Sequence, residues 1–183
     1  MTIAEVRARL DAELVFYFAD EEDAAGDAPE LHLDRLGPRD LVRCFDAIVE
    51  HGARWNDRTF YIEDEDVDVT VAERPEVAEL VAAGRVHGPC IGAEGIAVDG
   101  VELPLVEMFL HEDEINFFWW PDAAWTDERV AAFFVLLVRL LDLAPAAVLL
   151  PDRRYSPEVR RELAAMFARV IGDAERVHRG ESS

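Results

Sequence analysis

The chain has 183 residues, 51% of them hydrophobic, enough to bury a sizeable core without help from disulfides or metals. Its 39 acidic residues against 18 basic ones give a formal charge of −21. That balance excludes generic binding to nucleic acid or anionic membrane, because neither polyanion is attracted to such a surface.

Two cysteines, Cys44 and Cys90, suit free thiols in a reducing compartment better than a disulfide framework. All 18 basic residues are Arg, with Lys and Gln absent, a bias of the kind GC-rich bacterial genomes impose. Part of the acidity is therefore open to explanation as a host habit. The charge is also uneven. Residues 1–128 hold 32 acids against 9 Arg, a balance of −23, whereas residues 129–183 hold 7 against 9, a balance of +2. Such asymmetry is a hint of an interaction surface.

In chain order, Thr2 and Glu5 have capping-box spacing and open a short helix with Ile3, Val6 and Leu10 on one face. This start lacks the apolar run of a signal peptide. ELVFYFAD (13–20), rich in aromatic and β-branched residues, predicts a strand. EEDAAGDAPE (21–30) has loop chemistry, and LHLDRL (31–36) predicts a second strand. Gly37–Pro38 starts a helix whose stripe is Leu41, Cys44, Phe45, Ile48 and Val49, with Gly52 as its stop. Cys44 on that stripe behaves as a small hydrophobe.

RTFYI and VDVTV predict a hairpin around the acidic run Glu63–Asp64–Glu65–Asp66, with Asp68 beyond it. Alternation places Val67, Val69 and Val71 on one face and Asp66, Asp68 and Thr70 on the other. Asp64, Asp66 and Asp68 have the opening spacing of a calcium loop. However, Val69 stands where the loop needs Gly and Pro75 where it needs Glu, so that motif fails. A helix follows from Pro75 to Gly84.

Past a Gly-rich passage (84–95) comes a meander. GIAV turns at Asp99–Gly100 into VELPLVEMFL, and HEDE turns that into INFFWWP. Pro104 marks an edge or bulge in the middle strand. Val130–Leu143 is apolar nearly all round but contains Arg139 and Asp142, and is shorter than the ~20 residues of a membrane span. The expected location is cytoplasmic. AAVLL (146–150) reads as a short buried strand. Ser156–Pro157 opens a last helix with Val159, Leu163, Phe167 and Val170 as its stripe.

This order predicts an α+β fold with a largely antiparallel sheet of hairpins and a meander, covered by helices, including one very apolar central helix at about 127–143. Residues 1–175 are expected to form a single domain, with two intimately packed halves at about 1–84 and 85–175 as the alternative. Residues 176–183 are expected to be a flexible tail.

Catalytic constellations are weak. His87–Gly88–Pro89–Cys90 puts an imidazole near a thiol but reads better as a loop with a free cysteine. His111–Glu112–Asp113–Glu114 offers metal-type ligands at a hairpin tip, without a metal-binding spacing. GPCIGAEG does not match a dinucleotide loop, and with no lysine there is no Walker lysine. No cofactor or metal is expected.

The cluster Phe117, Phe118, Trp119, Trp120 and Trp125 is the most unusual local composition. On a strand at least one pair of these rings packs under the apolar helix; the other pair either packs in the core as well, the bland reading, or is exposed at an interface or pocket. The expectation is thus a non-enzymatic protein of the inhibitor, immunity or DNA-mimic kind that binds a basic protein and contacts no nucleic acid or membrane. Its contact residues would be Glu63, Asp64, Asp66, Asp68, Glu112, Asp113, Glu114, Trp119, Trp120 and Trp125. The alternatives are a small metal- or ligand-dependent enzyme or binding domain beside Trp119, Trp120 or His111, and a homo-oligomer in which the Arg-bearing last helix docks on a neighbour's acids.

Overall fold

A computed structural model describes residues 1–19, 28–52 and 54–177. The fold is α+β. In chain order it comprises α1 (Ile3–Arg7), α2 (Ala12–Ala19), β1 (Glu30–Asp34), α3 (Pro38–Glu50), β2 (Arg54–Trp55), β3 (Thr59–Ile62), β4 (Val67–Thr70) and α4 (Val77–Ala82). There follow β5 (Cys90–Glu94), β6 (Ala97–Val98), β7 (Val101–Glu102), β8 (Val106–Leu110), β9 (Glu114–Phe118), α5 (Asp127–Leu143), β10 (Val148–Pro151) and α6 (Pro157–Ile171). None of the described helices is long and apolar enough to cross a membrane.

Six strands form one sheet in the order β10-β1-β9-β8-β5-β2, each antiparallel to its neighbours. β3–β4 and β6–β7 are separate two-stranded hairpins. The latter turns at Asp99 and Gly100, both with positive φ (49° and 87°), as a tight hairpin turn requires.

One face of the main sheet carries the core. Leu31, Leu33, Ile115, Phe117, Met108 and Leu110 are buried there, and Trp119 just past β9 joins them. Over it lies α5, in which every residue from Val130 to Leu137 is buried. Phe133 makes aromatic contacts with Phe18, Phe117, Trp119, Trp125 and Phe134. Phe18 stacks on Trp119 with ring centroids 4.2 Å apart. Burying each such side chain contributes roughly 1.5–3 kcal/mol, which makes this cluster the main hydrophobic anchor of the sheet.

Four expectations are corrected. Residues 13–19 of that stretch are helical, not extended: the Asp11 carboxylate accepts from Leu14 N at 2.8 Å, and α2 then buries Leu14 and Phe18, four residues apart, while leaving Phe16 58% exposed. A strand would have put Leu14, Phe16 and Phe18 on one face. The Gly-rich passage contains β5, where Gly92 allows the Asn56 side chain to lie against the backbone; a Cβ there would sit 2.3 Å from Asn56 Nδ2. Pro104 separates β7 from β8 instead of bulging a single strand.

The fourth concerns the tail. Val177 is buried in a bridge to Leu149, and the Leu149 amide donates to the Arg176 carbonyl at 2.8 Å. The flexible tail therefore does not begin at 176, and residues 178–183 lie outside the described residues. So does most of the acidic loop expected at 21–30.

Candidate functional site

The structure brings together two acidic turns that are distant in sequence. Residues 63–66 join β3 to β4, and 111–113 join β8 to β9. Both meet the loop that follows α4. In that loop Arg85 grips Asp64 with two bonds of 2.9 and 3.0 Å and reaches Glu65 at 2.7 Å. His87 Nε2 lies 3.8 Å from Glu63 Oε1. From the other side, a Cβ at Gly84 would lie 3.7 Å from Glu112 Oε1, and one at Gly88 3.5 Å from the His111 ring. Glu63, Asp64, Asp66, Asp68, Glu112 and Asp113 are all exposed.

Three of the hairpin's acids are bonded within the protein. Arg85 holds Asp64, and Asp66, with positive φ, accepts from the Tyr61 hydroxyl at 2.6 Å, which raises the Tyr61 pKa. Glu65 accepts from Arg74 at 2.8 Å as well, and Arg74 and Arg85 together hold its carboxyl below the ordinary range.

The aromatic residues separate from these acids. Trp119 and Trp125 are core residues, which removes them from any contact surface, while Trp120 is 55% exposed. Trp120 lies beyond the far end of β9 from the 111–113 turn, and the span from Glu114 to Phe118 is itself about 13 Å of extended chain. An aromatic anchor rimmed by Glu112–Glu114 therefore does not assemble. Glu114 is not at the turn tip either. It begins β9, is largely buried, and donates its acidity to a different site.

That site lies on the other face of the main sheet. Directly opposed residues on antiparallel strands point to the same side. The register pairs His32 with Asn116, Asn116 with Phe109, and Phe109 with Cys90 in one row across the sheet. The neighbouring row pairs Glu30 with Phe118 and Phe118 with Glu107, and the row beyond pairs Asp34 with Glu114. The buried polar and charged residues among the described residues are His32, Glu107, Glu114, Asn116 and Asp152, and all belong to this polar face or its edge at the end of β10.

Arginines from loops neutralise it. Arg58 pairs with Glu107 and donates to the Cys90 sulfur at 2.6 Å. Arg153 pairs with Glu114 at 2.7 Å and lies 3.5 Å from Asp34. Arg154 pairs with Asp152 at 2.6 Å and with Glu30 at 3.2 Å. The His32 ring, and Arg153 after it, hold the Glu114 carboxyl below its ordinary range.

Neither thiol has the setting of a nucleophile. Burial pushes Cys44 up to about 12, and its Sγ lies 3.7 Å from the Leu140 carbonyl. Burial also raises Cys90, more strongly than Arg58 lowers it. His87 and Cys90, close in sequence, do not form a pair: His87 turns to Glu63 and Cys90 to Arg58.

Sequence reading missed the polar face, although a signal was present. Glu30, His32 and Asp34 alternate with Leu31 and Leu33, and Glu107 stands between Val106 and Met108. Charged residues at every second position of an otherwise apolar strand mark a second face with its own chemistry. What the fold and these two sites define is an acidic α+β protein with a charged edge and a buried polar sheet face. No family model matches the chain, and no curated protein or solved structure is detectably similar to it.

Proposed function

We propose that the protein binds a basic protein partner through its acidic edge, as an inhibitor, immunity protein or nucleic-acid mimic does. The observation that carries this reading is the convergence of the 63–68 and 111–113 turns on the loop at 84–88. Two acidic segments more than forty residues apart in sequence thereby share one surface. The Arg85 clamp on Asp64 and Glu65 supports it chemically, since it is a guanidinium already bound by this surface. The formal charge of −21 would speed encounter with a cationic partner, and complementary pairs would select it.

Contact falls to the acids that the protein's own arginines leave to solvent, namely Glu63, Asp68, Glu112 and Asp113. Asp64 and Asp66 support the turn by their internal bonds. Trp120, at the far end of β9, is a separate contact at most.

The test compares wild type with the combined variant Glu63→Gln, Asp68→Asn, Glu112→Gln and Asp113→Asn. Each is used as tagged bait in host lysate at low and moderate salt. The expected result is one stoichiometric basic partner held by wild type, released by salt, and lost from the variant while its circular dichroism is unchanged. A partner retained equally by both baits, or no reproducible partner at low salt, overturns the reading.

A further inference from the structure

The acidic edge leaves unexplained why a histidine is buried on the polar sheet face. His32 is 4% exposed, and neither of its ring nitrogens has a hydrogen-bond partner. Nε2 lies 3.6 Å from Glu30 Oε2 and Nδ1 lies 3.5 Å from Glu114 Oε2, both too long for a hydrogen bond by ordinary geometry. A histidine kept for packing alone normally donates one N–H to a carbonyl or carboxylate, because an unsatisfied buried polar group is destabilising.

We propose that Glu30, His32 and Asp152 are the protein ligands of a divalent transition-metal site of the zinc or manganese kind. One donor atom from each lies within 4.8 Å of the others, and this is the group found with ligand spacing among the described residues. An ion with bonds of about 2.1 Å in tetrahedral or octahedral geometry holds donors about 3.0–3.4 Å apart, so side-chain adjustments of roughly 1–2 Å close the set. One imidazole and two carboxylates suit Zn²⁺ or Mn²⁺, with water completing the coordination.

The backbone favours the same reading. Glu30 and His32 are two residues apart on β1 and so share a face, while β10 runs beside β1 and delivers Asp152 from its end. Strand β1 holds Glu30 and His32, and Asp152 directly follows β10. Glu114, fixed by Arg153, faces the Nδ1 side of the ring, where closing the 3.5 Å gap would orient the imidazole as carboxylates behind metal-bound histidines do.

Arg154 stands where the ion would bind. It donates to both Asp152 oxygens at 3.0 Å through Nε and reaches Glu30 at 3.2 Å. Its side chain is 43% exposed, so it can turn into solvent when a metal takes the carboxylates. Guanidinium and metal ion therefore compete for the same two acids.

The experiment is calorimetric titration of chelator-treated full-length protein with ZnCl₂ and with MnCl₂, paired with thermal unfolding across metal concentration. The expected result is saturable one-to-one binding of at least one ion and an unfolding temperature that rises with its concentration. His32→Ala and Glu30→Gln should each weaken binding by about tenfold or more. Arg154→Gln should tighten it roughly tenfold by removing the competing cation. Glu30, less buried than His32 at the start of β1, keeps the test valid should His32→Ala unfold. No saturable binding of either ion by wild type, or binding unchanged in Glu30→Gln, overturns the site; the latter would mean adventitious capture by surface acids.

Discussion

Arginine–carboxylate pairs occur in two regions of this protein, and the solvent around them makes them different interactions. On the β3–β4 hairpin, Arg85 holds Asp64 and Glu65 with side-chain exposures of 36%, 57% and 38%. On the polar sheet face, Arg58 holds Glu107 and Arg154 holds Asp152, and both carboxylates are only 3% exposed. In water the ions are already well solvated, so pairing adds little. Out of water each carboxylate depends on its arginine, because an unpaired buried charge is strongly destabilising. The hairpin can thus exchange an internal partner for an external one at low energetic penalty. The sheet face can do so only where another cation takes the arginine's place.

The largest effect should come from Arg58→Ala, which strands Glu107. A loss of about 2–3 kcal/mol in urea unfolding is expected, discounted from the fully buried case because Arg58 itself is half exposed. An unchanged midpoint would mean that water reaches Glu107 and that the two regions do not differ as argued.

Cys44 carries the same solvent logic into the core. Its folded pKa of about 12 exceeds its ordinary value of 9.0, so the neutral thiol is favoured by folding. Stability from this group is fully present below the unfolded pKa and is lost as pH rises toward the folded one. Above pH 9 the loss should be about 1 kcal/mol per pH unit, and Cys44→Ala should flatten that slope. Parallel slopes in the two proteins would place the alkaline sensitivity elsewhere.

Replacing both partners is smaller still. Arg58→Met combined with Glu107→Leu should cost less than about 1 kcal/mol, or stabilise, because no charge is left behind. A loss as large as that of Arg58→Ala alone would assign the effect to packing. Smallest of all is Arg85→Ala, for which no resolvable change in thermal midpoint is expected at moderate salt.

Much of the architecture could be read from residue patterns. The Gly37–Pro38 and Gly52 signals bracket α3, Ser156–Pro157 opens α6, and Asp99–Gly100 marks a hairpin, because local sterics and hydrogen bonding decide such features. Residues 13–20 failed for the opposite reason. Aromatic and β-branched side chains favour a strand locally, but the Asp11 cap and the fit of Phe18 against Trp119 favour a helix. Of the candidate contact residues, the exposed acids could be picked out by composition, whereas the burial of Trp119 and Trp125 beside an exposed Trp120 could not.

The sequence by itself determined the charge, the alternation of polar and apolar positions along each strand, and the turns, all of which depend on near neighbours. Only the tertiary structure decided which strands lie side by side. That pairing placed His32 opposite Asn116 and Asp34 opposite Glu114, and it set Asp152 beside Glu30 although more than a hundred residues separate them. It also joined two acidic turns across one loop. Long-range register depends on how the whole sheet buries its apolar face, and no local pattern carries that information.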